Sequence, residues 1–99
     1  MPKIIKAGDF QLDVNRRIVI HKGKEISLSL KEFGILECLM RRPNQVVQRD
    51  EILDHVWDFN YTALGNIIDV HINRIRNKLA VKRGQLLETV RGVGYRLKI

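Results

Sequence analysis

Asn73, Arg74, Arg76 and Asn77 fall within residues 66–79, the stretch NIIDVHINRIRNKL. Amides and guanidinium groups read base edges in the DNA major groove, where Asn pairs bidentately with adenine and Arg with guanine. Their spacing determines whether they can act together. Ile68, Ile72, Ile75 and Leu79 recur at helical spacing, so that face should be buried. At about 100° per residue the opposite side carries Asn66, Val70, Asn73, Arg74 and Asn77. Arg76 and Asp69 flank one edge of that side, and Lys78 and His71 the other. A helix that buries isoleucines and displays amides and guanidinium outward is a candidate recognition helix. The alternative is an ordinary amphipathic helix with a solvated polar face.

The charge distribution favours recognition. The chain has 99 residues and a formal net charge of +7. Residues 1–65 hold ten Lys/Arg against nine Asp/Glu, whereas residues 66–99 hold eight against two. Excess positive charge gathered in the last third is the footprint of a polyanion binder. Nucleic acid is the first candidate. An anionic membrane surface is the second, but the apolar face of the 66–79 helix is needed for a core.

Downstream, Leu86–Val90 and Tyr95–Ile99 read as two strands joined by Arg91-Gly92-Val93-Gly94. Two glycines two apart allow a tight hairpin tip with unusual dihedrals. A hairpin that follows a recognition helix and carries Arg91 at its end describes a wing. An arginine there can enter a narrow, strongly negative minor groove.

Other elements must hold this pair in place. Residues 3–28 read as three or four short antiparallel strands with one apolar face. Phe10, Leu12 and Val14 alternate with polar residues, then Ile18 and Ile20, then Ile26 and Leu28. Ser29 with Glu32 is a capping box opening a helix through Phe33, Ile35, Leu36, Leu39 and Met40. Pro43 ends it. Gly34 inside it costs about 1 kcal/mol against Ala and marks a candidate close contact. A second helix spans about Arg49 to Trp57, with Gln48 as a weak cap. Asp58 to Gly65, DFNYTALG, is a loop about twice as long as the turn of a plain helix-turn-helix.

Composition excludes other classes. The chain suits one domain spanning residues 1–99 with one modest core. It contains no long apolar run and no charged-then-apolar leader. The single Cys38 reads as a core residue suited to a reducing compartment, so the cytoplasm is the expected location. An enzyme is disfavoured, because His21, His55 and His71 have no nucleophile placed beside them. No phosphate loop or metal-ligand cluster is visible, and no cofactor or metal is expected. A basic RNA-binding module would expose aromatics for stacking, and only Phe59 and Tyr61 qualify. A pure protein-interaction domain would not need the basic last third.

The segments LSLKEFGILECLMRRPNQVV, QRDEILDHVW, NIIDVHINRIRNKL and TVRGVGYRL together carry a resemblance. The chain resembles the winged-helix DNA-binding effector domains of the OmpR/PhoB class of bacterial two-component response regulators, from about Phe10 to Leu97. The resemblance implies an α+β winged helix-turn-helix with a four-stranded antiparallel N-terminal sheet, three helices and a C-terminal hairpin wing. It implies that residues 66–79 enter the major groove, with His71, Asn73, Arg74 and Arg76 at bases or nearby phosphates. Arg49 and Trp57 fall where the second helix touches the phosphate backbone. Asn66, Asn77, Lys78 and the Lys82-Arg83 pair are expected to add phosphate contacts. Thr89 and Arg91 fall on the wing that reaches the minor groove.

Asp58, Phe59, Asn60 and Tyr61 fall in the loop where family members contact RNA polymerase. The implied partners are double-stranded DNA with direct-repeat half-sites and a second copy of the chain bound beside the first. Asn73 stands where several relatives carry a basic residue. Gly65 and Asn66 replace a more usual Ser/Thr helix start, and Ser29 and Gln48 stand where Thr and Ser are common. Family members normally carry a receiver domain before this module. The chain is expected to be an excised or a free-standing effector domain.

Overall fold

A computed structural model describes residues 3–57, 67–81 and 85–99. The first four strands are β1 (Ile4–Ala7), β2 (Phe10–Asp13), β3 (Ile18–His21) and β4 (Lys24–Ile26). They form an antiparallel meander in sequence order. Two strands alone would be marginal, so the sheet must lie on another element. It covers α1 (Leu30–Met40), the central helix, which also packs on α2 (Arg49–Val56) and α3 (Ile67–Leu79). A second sheet closes the other side, in the order β5 (Val46–Gln48), β7 (Gly94–Leu97), β6 (Leu87–Val90).

The meander was expected, but the phase of β3 is the reverse of the sequence reading. Val19 and His21 face the core, while Ile18 and Ile20 are half-buried on the outer face. Register explains the reversal. Val19 pairs with Leu12 and His21 with Phe10, both fully buried, so cross-strand neighbours share the inner face. The His21 ring lies flat against Phe10 at 4.3 Å between centroids. Strand β5 was not anticipated; its three residues are too few to show an alternation.

α1 begins as its residues require. The Ser29 hydroxyl accepts from the Glu32 N–H at 3.3 Å, and the Ser29 N–H donates to Glu32 Oε1 at 2.9 Å. α1 and α2 approach closely at Gly34, where a Cβ would stand a tight 3.2 Å from the Val56 side chain on α2. The carbonyl of Val56, near the end of α2, accepts from Lys31 Nζ at 3.1 Å.

The hairpin glycines do different jobs. Gly92 has φ 74°, in the turn closed by the Val93 N–H donating to the Val90 carbonyl. Positive φ at the third position of such a turn favours glycine. Gly94 belongs to β7 rather than the tip. A Cβ there would collide with the Val47 carbonyl, 2.8 Å from its carbon, because β5 lies directly alongside. Gly92→Ala should therefore cost about 1 kcal/mol through the backbone alone. Gly94→Ala should cost about 3 kcal/mol by forcing β5 off β7. Urea unfolding of the two variants checks this order, and equal losses would contradict it.

Two buried ionisable groups give stability a pH dependence. Burial, aided by Lys22 and opposed by Asp9, holds His21 below its ordinary 6.5. Burial pushes the Glu32 carboxyl up, but hydrogen bonds from Lys78 and Ser29 outweigh it and leave the group below its ordinary 4.5. Both groups bind protons more readily when the chain unfolds, so both contributions are present at higher pH and fade on acidification. The melting temperature should fall in two stages, beginning below about pH 6.5 for His21 and below about 4.5 for Glu32. His21→Phe, which keeps the ring stack, should remove the first stage. An unchanged first stage in that variant would assign it to another group.

Candidate nucleic-acid interface

α3 buries Ile68, Ile72 and Ile75 completely and Leu79 almost so, the stripe predicted from spacing. The opposite face is exposed, with Val70, Asn73, Arg74 and Asn77 in solvent. Beside it stands the β6–β7 hairpin with Arg91 exposed at the tip. The predicted display of amide and guanidinium groups is therefore present at Asn73, Arg74, Asn77 and Arg91.

Arg76 requires a correction. It was expected to read bases, yet it is 5% exposed and turned inward. Its Nε donates to the Leu87 carbonyl at 3.0 Å, and Nη2 donates to the same oxygen at 2.7 Å. Nη2 also donates to Thr89 Oγ1 at 3.0 Å, and Nη1 to Asn73 Oδ1 at 2.9 Å. The guanidinium thus pins β6 against α3. Thr89, assigned to the wing surface, is half-buried and accepts one of these bonds. A buried charge is tolerated only when it is well hydrogen-bonded, which explains why so many oxygens converge on it.

Two residues expected at phosphates have partners within the fold. Lys78 Nζ donates to Glu32 Oε1 at 2.6 Å, an ion pair that joins α3 to the buried start of α1. Trp57 is 8% exposed and packs inward, with the His71 ring edge-on at 5.4 Å and Lys31 Nζ above it at 5.2 Å. Burying so large an apolar ring outweighs leaving it at the surface. His71 is half-buried, and its Nδ1–H donates to the Ile67 carbonyl at 2.9 Å. That tautomer leaves Nε2 as the nitrogen for further contacts.

Arg49, the first residue of α2, donates from Nη1 to the Tyr95 hydroxyl at 3.3 Å. That hydroxyl in turn donates to Asp69 Oδ1. Burial, then the Asp69 carboxylate, pushes the Tyr95 phenol well above its ordinary 10.0. Tyr95 and Asp69 were not predicted as site residues. The one available signal was Asp69, a lone acid flanking a helix face rich in amides and bases. Arg49, Asp69, Tyr95 and residues 89–94 line a polar cleft of about 280 Å³ between α3 and the wing. Asn66, the Asp58–Tyr61 loop positions and the Lys82-Arg83 pair lie outside the described residues.

Residues 23–97 match the family model described as transcriptional regulatory protein, C terminal. The chain belongs to this family. It is 45% identical over 98 residues to the transcriptional regulatory protein TcrA of Mycobacterium tuberculosis, covering 98% of this chain and 39% of that protein. The domain therefore spans about two fifths of the curated relatives it matches. It superposes on the RstA DNA-binding domain of Klebsiella pneumoniae, solved in complex with the RstA box, with a TM-score of 0.81. The two are 30% identical, and the match covers 97% of each chain. The response regulator DrrB of Thermotoga maritima, an OmpR/PhoB homologue, matches with a TM-score of 0.79 and 32% identity. That match covers 97% of this domain and 44% of DrrB. The fold is the OmpR/PhoB-type winged helix.

His55 of α2 pairs with Glu37 of α1 at 3.4 Å at the surface. Among the described residues, no helix of this effector domain is long and apolar enough to cross a membrane. The contrast between the two neighbouring arginines is open to measurement. Arg76→Met, which keeps the aliphatic stem, should lower the unfolding free energy by about 2–3 kcal/mol by stranding the Leu87 and Thr89 acceptors. Arg74→Ala should lie within about 0.5 kcal/mol of the parent. Equal stability of both variants in urea would place Arg76 at the surface.

Proposed function

We propose that this domain binds double-stranded DNA sequence-specifically, as the output module of a two-component response regulator that controls transcription. One observation carries the reading. The exposed polar face of α3 and the Arg91 hairpin stand side by side, and the buried Arg76 holds them to each other. In this reading α3 enters the major groove, where Arg74 and Asn73 meet base edges and His71 contributes through Nε2. Arg91 enters the minor groove. Arg49 and Asn77 meet phosphates, joined by Asn66 and the Lys82-Arg83 pair.

The RstA domain that this chain resembles was solved with its DNA box, which supports a duplex as the ligand class. By the same family likeness, two copies bind direct-repeat half-sites head to tail, and the 58–65 loop meets RNA polymerase. If the domain is part of a longer regulator, a receiver domain in the same chain is its partner.

Affinity should fall steeply with salt, since each phosphate neutralised releases counterions. Arg74→Ala should cost about 1–3 kcal/mol on the preferred site and relax preference at one base pair. Titration against the selected duplex and a scrambled one checks this. Equal loss on both duplexes would assign Arg74 to phosphate, and failure to select any duplex from a random pool would overturn the function.

A further inference from the structure

Asn73 was expected to read adenine, because a free amide offers an acceptor and a donor together. The structure restricts that choice. Arg76 Nη1 donates to Asn73 Oδ1 at 2.9 Å, so the oxygen end of the amide faces the guanidinium. The guanidinium cannot follow the amide outward, because Nε and Nη2 are tied to the Leu87 carbonyl and Thr89 Oγ1. Turning the amide over would set its NH2 against the Nη1 N–H, donor against donor. Asn73 itself is exposed and Arg76 buried, so the bond draws the oxygen inward and leaves the NH2 as the outward end.

Electrostatics act in the same direction. The cation beside Oδ1 polarises the amide, strengthening the outward N–H donors. It also disfavours the approach of another positive edge, such as the adenine N6 amino group. Of the four bases, guanine presents two adjacent acceptors, N7 and O6, in the major groove.

We propose that Arg76 holds the Asn73 amide with its NH2 outward, so that Asn73 selects guanine rather than adenine. This rests on the DNA-binding reading above, with Asn73 as the base-reading residue and Arg76 as the residue that positions it.

The test begins by selecting preferred duplexes from a random pool with the parent domain and with Asn73→Ala. The base pair at which Asn73→Ala relaxes preference is the one Asn73 reads. It should be G·C, and replacing that guanine by 7-deazaguanine should weaken the parent by about tenfold while leaving Asn73→Ala unchanged. Asn73→Asp supplies a second arm. Its carboxylate retains the bond from Arg76 but offers an acceptor outward, so preference should move to cytosine, whose N4 donates.

An A·T pair at that position overturns the inference while leaving specific DNA binding intact. So does an Asn73→Asp domain that keeps the parental guanine, or an Asn73→Ala loss equal on all sequences, the signature of a phosphate contact. Selection of no duplex by the parent would remove the DNA-binding reading itself.

Discussion

The geometry of the interface depends on one buried cation. Taking a guanidinium out of water costs several kcal/mol unless its donors are met by acceptors. The described bonds from Arg76 to Leu87, Asn73 and Thr89 are what make its burial tolerable. What they contribute is position. A helix and a hairpin joined only by apolar contact can slide, because dispersion and hydrophobic burial are non-directional. A planar fork that donates to the β6 backbone fixes both the height and the rotation of the hairpin relative to α3.

Two further polar links hold the same helix from other sides. Near its start, Asp69 accepts from Tyr95 of β7, and through that hydroxyl it is connected to Arg49 of α2. Near its end, Lys78 meets Glu32, which also closes the capping box of α1. Between them the isoleucine stripe supplies the apolar anchor. α3 is thus tied by polar bonds to α1, β6 and β7 and, through Tyr95, to α2. The inner and flanking residues of α3 hold it in place, and the outer ones remain available to a ligand.

Much of this was legible in the sequence, and the reasons are physical. The stripe from Ile68 to Leu79, the Ser29–Glu32 box and the Gly92 turn are local patterns, and local patterns leave periodic or pairwise traces. What was missed depends on partners distant in sequence. The inward phase of Val19 and His21 is set by Phe10 and Leu12 across the sheet. β5 exists because β7 offers it an edge, and Gly94 is required because Val47 lies against it. Arg76 looked like its neighbour Arg74 because spacing alone placed it on the flank of the polar face. Only the hairpin, folding back from 11 residues further on, gives its guanidinium oxygens to meet. The burial of the Trp57 ring was missed for the same reason, since Lys31 and His71 lie against it.

A count of basic residues consequently overstates the contact surface. Of the eight Lys and Arg in residues 66–99, Arg76 is internal, Lys78 pairs with Glu32 and Arg96 pairs with Glu88. The latter two pairs are largely neutral at a distance, so they add little to long-range attraction. Arg76 differs in kind: its described bonds to Leu87, Asn73 and Thr89 hold the hairpin and the amide in place beneath the face that Asn73 and Arg74 present. A charge placed just beneath an interface biases which groups may approach without touching any of them, and it is screened less than a surface charge. This arrangement separates attraction from discrimination. The exposed Arg74 and Arg91 supply attraction that salt can weaken. In the reading proposed above, the buried Arg76 sets the orientation of the amide that distinguishes one base edge from another.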